Sequence, residues 1–418
     1  MALALMAAQA AKKASVRVAR ASDALRRRAL LAAADRILAD SEAILAANAR
    51  DMERARQGGM SAALLDRLAL DDGRIEDMAS SLREIAGQAD PLHRIVSGHT
   101  LESGLRMEQV TVPMGVVAMI YEARPNVTVD SFALCLRSGN ACVLKGGSAA
   151  RESCVALASS CCAALEEAGL PSDALCYVDS TDHAETEELM RTHGYVDVLI
   201  PRGGASLIRA CVDSATVPTI ETGTGNCHVY LDAAADPAKI VPIVINAKTS
   251  RPGTCNSIES LLVDASAAEQ LLCDVLPALH AAGVELCGDE RVRAIACGLG
   301  VPMEAATEED YATEYLALKM SVCCVSGVGE AVEHINRYGT GHSEAVITED
   351  YAVAEAFVAG VDAAAVYVNA STRFTDGGVF GLGGEIGIST QKLHARGPMG
   401  AAALTTTKYI LRGEGQVR

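Results

Sequence analysis

Cys255 stands in the run Arg251-Pro252-Gly253-Thr254-Cys255-Asn256, a polar turn beside an arginine and just ahead of an apolar stretch. A neighbouring cation and backbone N–H groups favour thiolate over thiol, so of the 14 cysteines this one has the setting of a nucleophile. An ordinary loop cysteine fits the same placement. Glu221 leads from Val-Pro-Thr-Ile into Thr222-Gly223-Thr224-Gly225. A glutamate leaving a strand for a glycine-rich turn can reach a cleft as general base, and a surface glutamate at a strand end is the simpler alternative. Arginines flank turns at Arg124-Pro125-Asn126, Arg251-Pro252 and Thr372-Arg373. Together they fit an anionic small substrate, while each alone also fits a surface ion pair. Lys145-Gly146-Gly147-Ser148 and Arg202-Gly203-Gly204 follow short apolar runs and open helical patterns, where helix N-terminal N–H groups can meet a phosphate. Neither is a G-x-G-x-x-G or P-loop pattern, and plain strand-to-helix turns read the same way. Gly381-Leu382-Gly383-Gly384 has no clear strand before it. With no Cys-x-x-Cys and no His-Glu-x-x-His, a metal site is not expected.

These residues need elements to hold them. The first ninety residues or so read as helices, with Leu25, Leu30, Leu31, Ile37, Leu38, Ile44 and Leu45 at helical spacing across 23–55. Arg26, Arg27 and Arg28 read as a solvated helix face. From Arg106 the pattern changes to strands at 110–112, 116–120, 141–145, 175–178 and 196–200, with helices at 130–137, 149–168, about 179–193 and 205–214. That alternation predicts a parallel sheet covered by helices. It resumes with strands at 257–263, 284–286, 321–325, 344–347 and 365–368 and helices at 267–282, 328–338 and 351–359, a second α/β unit. The β-prone tail at 403–411 is either an arm that pairs with another subunit or a strand folded back on its own sheet.

Composition narrows the function. The chain has 418 residues, enough for two or three domains, and half are hydrophobic. Lys plus Arg number 36 against 53 Asp plus Glu, a net charge of −17, which argues against nucleic acid and against an anionic membrane surface. Aromatic residues are 3% with no Trp, too few for base-stacking platforms. The apolar run at 112–121 is too short to span a bilayer. The N-terminal apolar run precedes its lysines, the reverse of a secretory signal. Free cysteines in apolar segments fit a reducing compartment, so a cytoplasmic setting is expected.

Several blocks resemble a known family. The stretch Tyr121-Glu122-Ala123-Arg124-Pro125-Asn126-Val127-Thr128-Val129-Asp130 is similar to the γ-glutamyl phosphate reductase family of the aldehyde dehydrogenase superfamily. So are Val143-Leu144-Lys145-Gly146-Gly147-Ser148, the Arg251–Asn256 run, the block from Tyr367 to Gly378 and the block from Ser389 to Gly400, and the likeness covers nearly the whole chain. The resemblance implies an α/β, aldehyde dehydrogenase-like fold: two Rossmann-like parallel-sheet domains plus a small β oligomerisation arm. By it, 1–95 and 116–222 form a discontinuous NADPH-binding domain, 223–397 a catalytic domain, and 96–115 with 398–418 the arm of a homo-oligomer.

The same resemblance implies site roles. Cys255 looks like the nucleophile, Asn126 the oxyanion-hole amide, and Glu221 the superfamily's general base, 255 − 221 = 34 residues upstream. Lys145, Gly146 and Ser148 match the adenosine-ribose end of the cofactor site, Arg202, Gly203 and Gly204 the pyrophosphate helix, and Glu314 the nicotinamide-ribose glutamate. Arg124, Arg251 and Arg373 are the expected substrate cations. Leu316 stands where relatives carry an aromatic, and Ser148 where NAD-preferring relatives carry a glutamate, so NADPH is the expected cofactor. The implied reaction is reduction of L-glutamate 5-phosphate to glutamate 5-semialdehyde and phosphate in proline biosynthesis, with transient contact with a glutamate kinase left open. The alternative is a hydrolytic NAD(P)-dependent semialdehyde dehydrogenase.

Overall fold

The computed structural model describes residues 2–122 and 124–418, with Ala123 of the Tyr121–Asp130 block outside them. The chain divides into two units, one made of 1–222, 381–387 and 398–418 and the other of 223–380 and 388–397.

In the first unit, Ile95–Thr100 (β1) and Arg106–Pro113 (β2) precede Val116–Tyr121 (β3), Ala141–Gly146 (β4), Leu175–Tyr177 (β5) and Val198–Arg202 (β6). Strands β3 and β4 are buried at every position, as continuous apolar runs are when helices cover both faces of a parallel sheet. The parallel sheet runs β5-β4-β3-β6. Gly115 leads into β3 at φ +128°, where a Cβ would stand 2.1 Å from Asp197 Oδ2. That oxygen instead accepts the Val116 N–H at 2.8 Å and an ion pair from Lys12 at 2.8 Å, pinning the start of β3. The apolar run expected at 23–55 is two helices, Asp23–Ala39 and Ser41–Gln57, broken at Asp40. Asp40 accepts from Arg36 and from Ser160 of Arg151–Ala168, so the break is tied to a neighbouring helix. The helix expected at 130–137 begins a turn earlier, at Asn126.

The β-prone tail is the strand Thr405–Arg412, which pairs antiparallel with β2 from Thr405–Pro113 to Arg412–Arg106. With β1 it makes a three-stranded sheet within this same chain.

The second unit holds Cys227–Leu231 (β7), Ile258–Asp264 (β8), Glu285–Gly288 (β9), Glu304–Ala305 (β10), Lys319–Val325 (β11), Ser343–Ile347 (β12) and Ala365–Val368 (β13). They form one seven-stranded parallel sheet in the order β10-β9-β11-β8-β7-β12-β13. Its core joins β7, β8 and β11 to Pro237–Thr249 and Ala268–Ala281 through residues such as Val229, Val244, Leu261, Leu272 and Val322. Among the described residues no helix is long and apolar enough to cross a membrane.

Candidate active site

Residues 250–257 join the helix Pro237–Thr249 to β8 and carry Cys255 half-buried at the turn. The turn closes on itself: Thr254 N–H donates to Arg251 O at 3.2 Å and Ser257 N–H to Thr254 O at 3.0 Å. Buried Cys227, opening β7, donates its thiol to Cys255 O at 3.1 Å, and burial pushes that thiol well above the usual range, so it stays a donor. Gly225 lies so close to the same carbonyl that a Cβ there would stand 1.4 Å from the Cys255 oxygen. The Cys255 carbonyl is therefore held by the segment Gly225–Cys227.

Two expected cations lie at this turn. Arg251 is exposed. Arg373, in the turn Thr372–Phe374, donates from Nε to Ser250 Oγ at 2.9 Å and from Nη1 to Thr254 Oγ1 at 2.9 Å and to Asn256 Oδ1. Burial and the charge of Arg251 pull the Arg373 guanidinium below its ordinary pKa, while Cys255 pushes it back up. Glu314 accepts the Gly225 N–H at 2.7 Å, so the residue expected to hold a ribose also braces the segment that leads into β7. Behind it, Leu316 has φ +54° and is 42% exposed, and its N–H donates to Glu259 Oε1 at 3.3 Å.

The remaining expected residues belong to the first unit. Asn126 opens the helix Asn126–Arg137, exposed, with its Nδ2 donating to Asp130 Oδ2 at 3.0 Å. Asp130 is half-buried as a residue, yet burial of its carboxyl pushes it up to about 6, against the pull of Asn126 and Arg202. Arg124 is half-buried two residues before Asn126. Glu221 does not follow a regular strand. Ile220 N–H donates to Leu199 O at 2.9 Å and Thr222 Oγ1 to Pro201 O at 2.7 Å, so a bridge and a side chain hold it beside β6.

Lys145, next to last in β4, is 5% exposed, with Nζ donating to Gly146 O at 3.1 Å; burial lowers its pKa. An ammonium has three donors, and this is its one hydrogen bond among the described residues, which suits added acceptors such as ribose hydroxyls or a phosphate. Ser148 is exposed at the following turn, Ser148–Ala150. Gly146 is hemmed in: a Cβ would lie 2.9 Å from the Tyr177 hydroxyl. Arg202 ends β6 and faces Glu385 at 3.5 Å. Gly203 and Gly204 lead into the helix Ala205–Ser214. There the Gly204 N–H donates to Glu122 Oε2 at 3.2 Å, a carboxylate at the spot expected for a pyrophosphate. These residues fit a dinucleotide provided Glu122 yields its place.

Glu122, Asp130, Gly225 and Glu259 were missed as site-shaping residues. Glu122 and Asp130 lie within the motif block but carry no signal of their own. Gly225 was legible only as a turn glycine. Among the described residues no group of three or more His, Cys, Asp or Glu could hold a metal ion.

Comparison with known proteins gives a consistent result. The model of the aldehyde dehydrogenase family matches residues 2–291. A γ-glutamyl phosphate reductase of Moorella thermoacetica is 55% identical over 93% of this chain and 92% of its own length. One from Thermobifida fusca is 51% identical over 98% of this chain and 97% of its own. The crystal structure of γ-glutamyl phosphate reductase from Thermotoga maritima matches with a TM-score of 0.95 at 45% identity, covering 99% of both chains. Family model, full-length relatives and fold agree with the motif blocks: the chain belongs to the aldehyde dehydrogenase family, within its γ-glutamyl phosphate reductase branch.

Proposed function

We propose that this chain reduces L-glutamate 5-phosphate to L-glutamate 5-semialdehyde and phosphate, the reductive step toward proline, with Cys255 as nucleophile and NADPH as reductant. The observation that carries the reading is the turn at Cys255: a thiol on a backbone fixed by Gly225 and Cys227, with Arg251 and Arg373 beside it. The names of its full-length relatives supply the substrate.

In this reading the Cys255 thiolate attacks the acyl carbon and the C–O bond to phosphate breaks, leaving a thioester. The Asn126 amide and the Cys255 N–H stabilise the oxyanion, an effect of about 3–4 kcal/mol per donor. Arg251 and Arg124 supply positive charge for the phosphate and α-carboxylate, and Arg373 adds its charge beside the thiol. Lys145, Gly146, Ser148, Arg202, Gly203, Gly204 and Glu314 hold the cofactor, whose bound nicotinamide supplies the hydride for the thioester carbon. With Ser148 in place of a carboxylate and Lys145 alongside, a 2′-phosphate is welcomed. The thiohemiacetal then collapses, returning the Cys255 thiolate and releasing aldehyde. No step needs an activated water, so Glu221 has no obligatory part. The setting is the cytoplasm, the unit a homo-oligomer, and substrate delivery by a glutamate kinase a further step of the same reading.

The test is NADP⁺ reduction with glutamate semialdehyde, with and without phosphate. Phosphate-dependent turnover supports the reductase. Turnover in water alone assigns the chain to the hydrolytic semialdehyde dehydrogenases.

A further inference from the structure

The Cys255 turn is clamped to the turn Thr372–Phe374 in both directions. Thr372 Oγ1 donates to Asn256 O at 2.7 Å, and Asn256 Nδ2 to Thr375 O at 2.9 Å and Arg373 O at 3.4 Å. The Arg373 side chain answers with its bonds to Ser250, Thr254 and Asn256. Thr372 is fully buried and Asn256 4% exposed, so much of this clamp is shielded from water. A guanidinium that binds a free anion offers it an open fork of paired N–H groups. Here Nε and Nη1 are committed to neutral oxygens of the loop that carries the thiol.

We propose that Arg373 is a positioning residue for Cys255: it fixes the loop that carries the sulfur and supplies the charge that keeps it ionised, leaving Arg251 to meet the substrate's anion. The proposal rests on the reading of Cys255 as nucleophile. Arg251, Cys255, Asp376 and Cys227 act on Arg373, and Glu344, Cys255 and Glu259 act on Cys227. Attraction between a cation and a thiolate is mutual, so the sulfur that supports the charge on Arg373 is itself supported by it.

The test is iodoacetamide alkylation of Cys255 in the full chain from pH 6 to 9, read by mass spectrometry of its peptide. Exposed Cys273 and Cys297 serve as internal references. Arg373→Met should slow Cys255 alkylation at pH 7 by about fivefold or more relative to the references and move its pH profile upward. Arg373→Lys should restore most of the profile while kcat stays low, because charge returns without the fork. The KM for phosphate in the aldehyde-oxidising direction should stay near wild type in both. A raised phosphate KM with an unmoved alkylation profile overturns the proposal and makes Arg373 a substrate ligand. If Arg373→Met does not fold by circular dichroism, Arg373→Lys decides alone: low kcat with wild-type KM supports the proposal, and raised KM with an unmoved profile sinks it. Full activity in Cys255→Ser would instead overturn the underlying function, whatever Arg373 does.

Discussion

Glu314 Oε1 accepts the N–H of Gly225 across 2.7 Å, and Gly225 in turn is the residue against which the Cys255 carbonyl rests. One carboxylate thus braces the backbone beneath the proposed nucleophile while standing where a ribose is expected. Glu314→Gln keeps an acceptor for Gly225, and Glu314→Ala does not. Both should raise the KM for NADPH, and only the alanine variant should also lower kcat, from the loss of a bond worth about 1 kcal/mol. Steady-state kinetics on the two variants separates ribose binding from bracing.

Gly225→Ala should be more severe. The new methyl would meet the carbonyl oxygen of Cys255 at 1.4 Å and its Cα at 2.7 Å, and backbone atoms cannot swing aside as a side-chain end can. A displacement near 1 Å at a reacting group costs about 100-fold in rate, so kcat should fall by at least that much. Wild-type kcat in a folded variant would show that this contact does not position the sulfur.

Cys255→Ser should lower turnover by several orders of magnitude while NADPH still binds, because a hydroxyl without a general base is a far weaker nucleophile than a thiolate. Cofactor fluorescence titration and a single-turnover assay on the same preparation measure both.

Lys248 and Glu259 form an ion pair at 2.6 Å with neither side chain exposed. Burial pushes Glu259 up to about 7 and Lys248 down. Removing one partner leaves the other buried without its counter-charge, so Glu259→Ala should lose about 3–5 kcal/mol. The double variant Lys248→Met with Glu259→Leu should recover most of that. Urea unfolding of the two, read at one pH, checks the ordering.

Asp130 sets a pH dependence. Its carboxyl is raised from 3.8 to about 6 in the folded chain, mainly by burial. A raised carboxyl holds its proton more tightly folded than unfolded. Its contribution to stability is therefore complete below about 3.8 and lost as pH rises through about 6. Asp130→Asn cannot titrate, so it should gain on wild type between pH 4 and 7. Urea midpoints at those two values measure the difference, and parallel curves would place the titration elsewhere.

Much of this architecture could be read before any coordinates. Runs such as 116–120 and 141–145 announced buried parallel strands because parallel strands are apolar on both faces. The helix Pro237–Thr249 was missed because Pro242 lies inside it and masks the pattern; the local signals were at its start, Asp236 capping Ala238 N–H at 3.0 Å and Pro237 in the first turn. β7 was missed with it, a five-residue run beside the glycine-rich segment. At the site, Cys255 was legible because its turn is polar where other cysteines are not. The bond from Glu122 to Gly204 joins residues 82 apart and follows from no periodicity, so only the folded chain reveals a carboxylate at that helix end. Arg373 was legible as a charge near a turn, but not as a ligand of its own loop.

The pairing of Thr405–Arg412 with β2 has a consequence for how the molecule is made. As the nascent chain leaves the ribosome, residues 106–113 emerge long before the segment that covers their open edge. In that interval the edge of β2 is a template for any strand that passes, including the same edge on a neighbouring polysome product. Ladder closure waits for residues 405–412, so a chain interrupted before them should yield aggregates rather than a trimmed but usable enzyme.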